Sequence, residues 1–205
     1  MAEKGYASAR VSDICQAAGV TRPVFYALFE GKDSAFVAAY RHGIDVLVAM
    51  MEESFQAADD WCAGVRAALR TLLDVLTAVP AFATMAIVEI DALGPAARNV
   101  RTQMLRRFHP FFAAAPPFAQ DGGPMPDDLL GSIVGGIYST IYRYVADGRV
   151  AELPGLAPTL TFFALAPFIG PEEALRQLTE GSARSSRTAP HCAPGAPAAA
   201  AVAPG

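Results

Sequence analysis

The stretch from Val11 to Phe36 constrains the fold of this chain more than any other part of its sequence. Ile14 and Ala18 continue the spacing of three and four residues that begins at Val11, which places these side chains on one face of a helix of about two turns. Gly19 comes directly after this pattern, where a glycine can close a helix in the left-handed conformation at little steric cost. The stretch is therefore predicted to open with a short helix and a tight turn.

The residues after this turn predict a second short helix. Thr21 stands where a side-chain oxygen can cap the new helix, and Pro23 falls in its first turn, where a missing amide proton costs little. Phe25 and Phe29 are four residues apart and form its buried face. Two helices this short are not stable alone in water, so a third helix starting near Lys32 is needed to support them. The result is a helix-turn-helix, whose second helix can enter a DNA major groove.

Further positions on both sides of the turn carry a family resemblance. They are Gly5, Tyr6, Val11, Asp13, Ile14, Ala18, Gly19, Val20, Thr21, Phe25, Tyr26, Phe29, Lys32 and Phe36. Together they resemble the N-terminal DNA-binding domain of the TetR/AcrR family of bacterial transcriptional regulators. The resemblance covers the first fifth to quarter of the chain. It implies a DNA-binding domain at residues 1–43 and a helical ligand-binding and dimerisation domain at residues 44–180.

The sequence departs from the family pattern at three places. Members of the family place a full helix before the glycine–tyrosine pair, whereas only four residues precede Gly5 here. We expect the true start codon to lie further upstream; the alternative is a protein that lacks this helix. Ala9 and Arg10 stand where hydroxyl residues often cap the first helix of the motif, so we expect Ser8 to cap it instead. Leu28 stands where a histidine is common.

The DNA hypothesis assigns roles to individual side chains. Arg22, at the front of the second helix, is the expected base reader, because a guanidinium can bind O6 and N7 of one guanine. By resemblance, Thr21, Tyr26 and Lys32 would contact phosphates and fix the register. In the alternative interpretation Thr21 is only a cap, Tyr26 only packs and Lys32 is only solvated. The candidate DNA-binding residues are Arg10, Thr21, Arg22, Pro23, Tyr26 and Lys32.

Composition narrows the function classes. The net charge of −4 argues against a protein that coats nucleic acid non-specifically, although residues 1–43 carry a local net charge of +1. The 3 cysteines share no metal-ligand spacing and suit a reducing cytoplasm. Neither a metal nor another cofactor is predicted. The 3 histidines have no acid partners at catalytic spacing, so we expect no enzymatic activity.

Hydrophobic periodicity after the motif predicts an all-α protein, an N-terminal helix-turn-helix domain followed by a helical bundle. The predicted helices are Lys32 to Ala57, Trp61 to Val79, Pro80 to Leu93, Ala96 to Ala115, Asp127 to Ala146, Pro158 to Ile169 and Pro171 to Leu178. Two apolar runs, Leu129 to Ala146 and Leu156 to Gly170, are interpreted as buried helices rather than membrane spans. Residues 181–205 form an Ala/Pro-rich tail predicted to be disordered.

Two sets of side chains are candidates for further sites. An apolar pocket between helices is expected to be lined by aromatic residues, with one carboxylate as a polar anchor; ordinary core packing is the alternative. Its candidate residues are Trp61, Phe82, Met85, Glu89, Phe108, Phe111, Phe112, Tyr138 and Tyr142. Gly131, Gly135 and Ser139 lie four residues apart and would let two helices approach closely. By resemblance these helices pair in a dimer, and the alternative is tight packing within one chain.

The sequence thus predicts a cytoplasmic, homodimeric regulator that binds a palindromic double-stranded DNA operator, and it favours a repressor released by a small apolar or amphipathic effector. Two alternatives stay open. The chain could be a helical small-molecule-binding dimer that has lost DNA binding, or a helical interaction protein without a ligand.

Overall fold

The computed structural model describes residues 5–117, 126 and 128–178, and within this part of the chain every regular element is a helix. The N-terminal region contains α1 (Gly5–Ser8), α2 (Val11–Ala18) and α3 (Arg22–Leu28). The long helix α4 (Lys32–Gln56) follows. The all-α prediction is confirmed, and the helix-turn-helix lies where the sequence placed it.

The turn between α2 and α3 has the predicted chemistry. Gly19 is left-handed, with φ of 66°, and the amide of Val20 donates to the carbonyl of Cys15 over 3.0 Å. Phe25 is 2% exposed and its ring lies 5.4 Å from that of Phe29. The two helices therefore share one small apolar interior, while Phe36 at the start of α4 is fully buried and packs on Tyr6 of α1.

Two capping predictions are wrong. Thr21 occupies the position before α3 but its side chain makes no capping hydrogen bond. Ser8 is the last residue of α1 and does not cap α2; instead the Asp13 carboxylate accepts the free amide of Arg10 over 2.9 Å. An acidic side chain in the first turn satisfies this amide in place of a hydroxyl at the cap.

Five further helices build the larger region. They are α5 (Trp61–Ala78), α6 (Pro80–Ile87), α7 (Pro95–Arg106), α8 (Leu129–Ala146) and α9 (Ala157–Ile169). Residues 171–178 are also helical. Short 3₁₀ segments stand at Glu89–Leu93, His109–Phe112 and Val150–Leu156. The side chain of Asp60 caps α5, since it accepts the Ala63 amide over 2.8 Å.

Two predicted helices are shorter than expected. The helix from Pro80 ends at Ile87 and continues as the 3₁₀ segment to Leu93, and the next one ends at Arg106 before a second 3₁₀ segment. Pro110 has no amide proton and marks this second break. The first break matters because Glu89 lies in the 3₁₀ segment, where its carboxylate accepts the amide of Tyr6.

The core lies between α4, α5, α6, α8 and α9. Leu73 on α5, Ile133 on α8 and Leu165 on α9 are almost wholly enclosed. By length and apolar character, Val150–Ile169 is the one straight helical stretch of the described residues that could cross a membrane, and α5 with α6 forms a second candidate bent by 108°. A single such stretch is weak evidence, and α9 packs against α5.

Several predictions fall outside the described residues. They concern the residues before Gly5 and the tail from 181 to 205.

Candidate DNA-reading surface and effector cavity

The outward face of α3 is the first candidate site. Phe25 anchors this helix, while Arg22, Pro23 and the aromatic ring of Tyr26 lie outside, Tyr26 being 56% exposed. Thr21 and Arg10 are also exposed. The structure therefore brings five of the six predicted DNA-binding residues to the surface around the start of α2 and α3, with Arg22 at the first position of its helix.

Sequence reasoning did not find the apolar residues on this face. Val24 and Leu28 are exposed beside Tyr26, Leu28 by 71%. Single exposed apolar side chains are common on proteins, but here they belong to the helix whose surface would face DNA. The apolar C5-methyl group of thymine in the major groove is the partner that such side chains can contact.

Lys32, the sixth predicted DNA-binding residue, has a structural partner. Its Nζ donates to the carbonyl of Tyr6 over 2.9 Å and lies 4.3 Å from the centre of the Tyr6 ring. The Tyr6 hydroxyl donates to Asp33, and its ring packs on Phe36 at 4.6 Å. Lys32 is thus neither free nor merely solvated: it fixes α1 to the start of α4.

An apolar cavity is the second candidate site. It lies between α4, α5, α6, α7 and α8, and its volume is about 70 Å³. Almost every lining side chain is aliphatic or aromatic. The cavity is lined by Ile44, Leu47, Met51, Leu69, Leu72, Leu76, Ala86, Ile87, Met104, Leu105, Phe108, Val134, Ile137, Tyr138 and Ile141.

Two of the predicted pocket residues, Phe108 and Tyr138, line this cavity. The Tyr138 hydroxyl donates to the carbonyl of Ile87 over 2.9 Å, and burial raises the pKa of this hydroxyl. Tyr142 lies one turn further along α8, with its ring 6.3 Å from that of Tyr138. An apolar ligand in the cavity would therefore meet a neutral, already bonded tyrosine at one wall.

Three other predicted pocket residues form a separate aromatic cluster. Trp61 and Phe112 pack on Phe168 with ring centres 5.3 and 5.8 Å away, and the Trp61 indole donates to the carbonyl of Phe111 over 2.9 Å. Phe111 in turn packs on Phe55. None of these side chains lines the cavity. They join α5, α9 and the 3₁₀ segment at His109–Phe112.

The remaining predicted pocket residues lie around α6. The Phe82 ring rests on Gly43 of α4, where an added β-carbon would clash with it. Met85 packs against the core without lining the cavity. The Glu89 carboxylate accepts the backbone amide of Tyr6 over 2.9 Å. Within the described residues no three His, Cys, Asp or Glu side chains lie close enough to hold a metal ion.

The predicted dimer residues lie on the outer side of α8. A β-carbon added at Gly131 or Gly135 would have no heavy atom within 4 Å, and Ser139 is exposed. Gly136, beside them, receives the ring of Phe163 from α9, and Phe163 is itself 43% exposed. Within this chain the small residues at 131 and 135 therefore face open space.

These features combine two elements in one chain. A helix-turn-helix with an exposed second helix is followed by one continuous helix that leads to a helical region with an apolar cavity. Residues 1–39 match the family described as bacterial regulatory proteins, tetR family. The N-terminal region of the chain is therefore similar to the DNA-binding domain of this family of transcriptional regulators, as the resemblance around the turn predicted.

Solved structures agree with this fold. The transcriptional regulator FadR from Bacillus subtilis, crystallised in complex with stearoyl-CoA, is 17% identical, with a TM-score of 0.66 over 82% of this chain and 92% of that one. The fatty acid degradation regulator FadR from Bacillus halodurans is 18% identical, with a TM-score of 0.66 over 82% and 90%. The TetR family regulator PfmR from Thermus thermophilus is 18% identical, with a TM-score of 0.55 over 80% and 91%. Curated protein sequences gave no match.

Proposed function

We propose that this chain is a cytoplasmic, homodimeric TetR-family repressor that binds a palindromic operator and is released by a small apolar or amphipathic effector. The observation that carries the proposal is the course of α4. Its first half packs on α1 through Phe36, whose ring lies 4.6 Å from that of Tyr6, and its second half lines the cavity with Ile44, Leu47 and Met51. One helix therefore contacts both the N-terminal region and the cavity.

Operator recognition is assigned to the exposed face of α3. Arg22, which is exposed at the first position of α3, would read guanine, and the exposed side chains of Thr21, Tyr26 and Arg10 would contact phosphates. Lys32 would contribute its remaining donors while it holds Tyr6. A helix of 7 residues reads only a few base pairs, so one protomer alone offers little specificity.

A dimer would supply the second half-site. The open surface at Gly131 and Gly135, with Ser139 one turn further, allows a second copy of α8 to approach closely. Phe163 of α9 lies beside this surface and would be covered in the same interface. Two-fold symmetry would then place two α3 helices on successive major grooves of a palindrome.

The size of the cavity supports a two-state response. A cavity of roughly 150 Å³ binds a benzene molecule, whereas this one measures about 70 Å³. An effector of useful size must therefore push the surrounding helices apart. Since α4 is one of these helices, the effector would bind preferentially to a conformation in which α3 has moved.

The proposal is tested by selecting bound DNA from a random pool with the purified full-length protein. We expect enrichment of a palindrome with half-sites about one helical turn apart, and release of this DNA by dodecanol as an apolar probe. Enrichment of no sequence would support the alternative, a helical dimer without DNA binding. Enrichment without any release would contradict the effector part alone.

A further inference from the structure

A second, polar cleft lies beside the apolar cavity, between α4 and α7. Its volume is about 240 Å³, and two buried residues, Ile44 and Met104, line both spaces. The polar side chains of this cleft are Tyr40, Arg41, Asp45, Gln103 and Arg107. An apolar cavity thus adjoins a cleft with two guanidinium groups and one carboxylate.

We propose that this cleft binds the anionic head group of the effector, at Arg41 and Arg107, while the apolar chain of the same molecule enters the cavity past Ile44 and Met104. The inference rests on the proposed effector response and adds the chemical class of the ligand: an unbranched apolar chain that ends in a carboxylate or a phosphate. Met104 is suited to the passage, because its unbranched side chain can adopt several conformations.

The charges of the cleft favour an anion. Arg107 is paired with Asp45, and both side chains are about half exposed, at 44% and 54%. An ion pair this exposed contributes little stability, so a ligand anion can replace Asp45 at small cost. Arg41 is exposed and lines the cleft, and within the described residues its guanidinium group makes no ion pair or hydrogen bond. Two guanidinium groups would then be available to one head group, and each can bind it through two parallel hydrogen bonds.

The Tyr40 hydroxyl is the second, independent indication. Tyr40 is 1% exposed, and its hydroxyl has no hydrogen-bond partner in the part of the chain that the structure describes. A buried hydroxyl without a partner is unfavourable and calls for an explanation. Burial also raises the pKa of this hydroxyl, so that at neutral pH it keeps its proton and can donate to an anion.

This position of the head group links the ligand to the DNA-binding region. Tyr40, Arg41 and Asp45 all belong to α4, whereas Arg107 follows the end of α7. The Arg107–Asp45 pair joins the two helices, and a head group that takes Arg107 from Asp45 opens this connection. A larger apolar chain in the cavity needs this movement, in which α4 separates from α7.

The proposal is tested with four probes that share a 12-carbon chain: dodecanoate, dodecyl phosphate, dodecanol and dodecyltrimethylammonium. Binding to the full-length protein is measured by calorimetry below the micelle concentration of each probe. We expect the anions to bind at least about tenfold more tightly than dodecanol, and the cation most weakly. A difference between the two anions distinguishes a carboxylate from a phosphate ligand.

Three variants and one control locate the site. Arg107→Gln and Arg41→Gln should each weaken binding of the anions about tenfold and leave dodecanol unchanged. Arg106→Gln is the matched control, because Arg106 is exposed on the same helix end but does not line the cleft. Tyr40→Phe should weaken anion binding without lowering the melting temperature of the ligand-free protein, since it removes a hydroxyl that has no partner.

Each outcome has a distinct meaning. If dodecanol binds as tightly as the anions, the head-group site is wrong, while the apolar effector site stands. If Arg107→Gln and Arg106→Gln bind dodecanoate equally, the assignment of the cleft is wrong. If no probe binds and none releases DNA, both proposals fail together, and a loss of melting temperature in Tyr40→Phe would mean that the hydroxyl has a structural role.

Discussion

Glu89 and Tyr6 connect the two regions of the protein through one hydrogen bond, in which the Tyr6 amide donates to the Glu89 carboxylate over 2.9 Å. Glu89 stands two residues after Ile87, which lines the cavity and accepts the hydroxyl of Tyr138. Tyr6, the donor of the hydrogen bond to Glu89, belongs to α1 and is held there by Lys32. A second connection, besides α4, therefore runs from the cavity wall to the DNA-binding region.

Glu89→Ala tests this connection. The variant leaves an amide of α1 without its acceptor, so the free energy of unfolding should fall by about 1–2 kcal/mol, as measured by urea denaturation. The effector concentration that releases half of the operator should also change. Glu89→Gln is the matched control, because its amide oxygen can still accept the Tyr6 proton. An Ala variant with unchanged stability and response would exclude this role.

Arg22→Ala tests the assignment of the base reader. Loss of a bidentate contact to guanine should weaken operator binding by about 1–3 kcal/mol and relax selectivity at one position of each half-site. The measurement is a gel-shift titration on the selected operator and its single-base variants. Arg70→Ala, at an exposed position on α5, serves as the control. Equal weakening on all sequences would instead make Arg22 a phosphate contact.

Ala86→Leu tests the cavity. Ala86 is 1% exposed and lines it, so an added isopropyl group fills space that the effector needs. We expect the response to dodecanol to be lost while operator affinity is retained. The unfolding free energy should change by less than about 3 kcal/mol, the usual range for an overfilled core. Continued release of the operator at the wild-type dodecanol concentration would place the effector elsewhere.

Gly135→Leu tests the dimer surface. Since an added β-carbon at Gly135 meets no atom within 4 Å, the protomer should fold with unchanged helix content. A bulky side chain there should, however, separate two copies of α8, and sedimentation should show a monomer with weaker operator binding. Circular dichroism is the control for folding. A variant that stays dimeric would assign the surface to another partner or to solvent.

The pH dependence of stability tests the buried tyrosines. Burial is the main cause that raises the pKa of Tyr40 and Tyr6 above the ordinary value of 10.0. At Tyr40 the nearby Tyr138 and Asp91 raise the pKa further, while Arg101 lowers it. At Tyr6 the nearby Asp33 raises the pKa further. Well below pH 10 both tyrosine hydroxyls are protonated in the folded and in the unfolded protein. Above it the unfolded chain loses protons that the folded protein retains, so the free energy of unfolding should fall as pH rises.

Tyr40→Phe should make this decline shallower between pH 9 and 11, as urea denaturation at a series of pH values would show. The matched control is Tyr26→Phe, because Tyr26 is exposed. A decline of equal slope in both variants would contradict the contribution of Tyr40.

The helices could be predicted from the sequence because each has a clear period and a marked end. Gly19 closes α2, and Gly148 follows the end of α8 with φ of 73°. Spacing also places Tyr40, Ile44, Leu47 and Met51 on one side of α4, and all four are buried. What it could not supply was the partner of each side chain. Trp61 and Phe82 have the expected helical spacing and are partly buried, but they pack on Phe168 and Gly43 rather than around the cavity.

Glu89 illustrates the same limit for a polar residue. As part of a continuous helix it would share a face with Phe82 and Met85, but the change to a 3₁₀ segment after Ile87 directs it toward Tyr6. No residue near Glu89 in the sequence marks Tyr6 as its partner, since the two are 83 positions apart. The cavity is likewise a property of five helices together, and no single helix pattern contains it.

The bond from Lys32 to the carbonyl of Tyr6 has a consequence for the behaviour of the regulator on a chromosome. The bond holds the Lys32 ammonium group in one position, from which only its remaining donors can reach a phosphate, and the chain as a whole is acidic. Binding to unrelated sequences should therefore be weak and should vary little with salt. Few molecules of the regulator would then be bound at non-specific genomic sites, so a low number of copies per cell would be enough to keep the operator occupied.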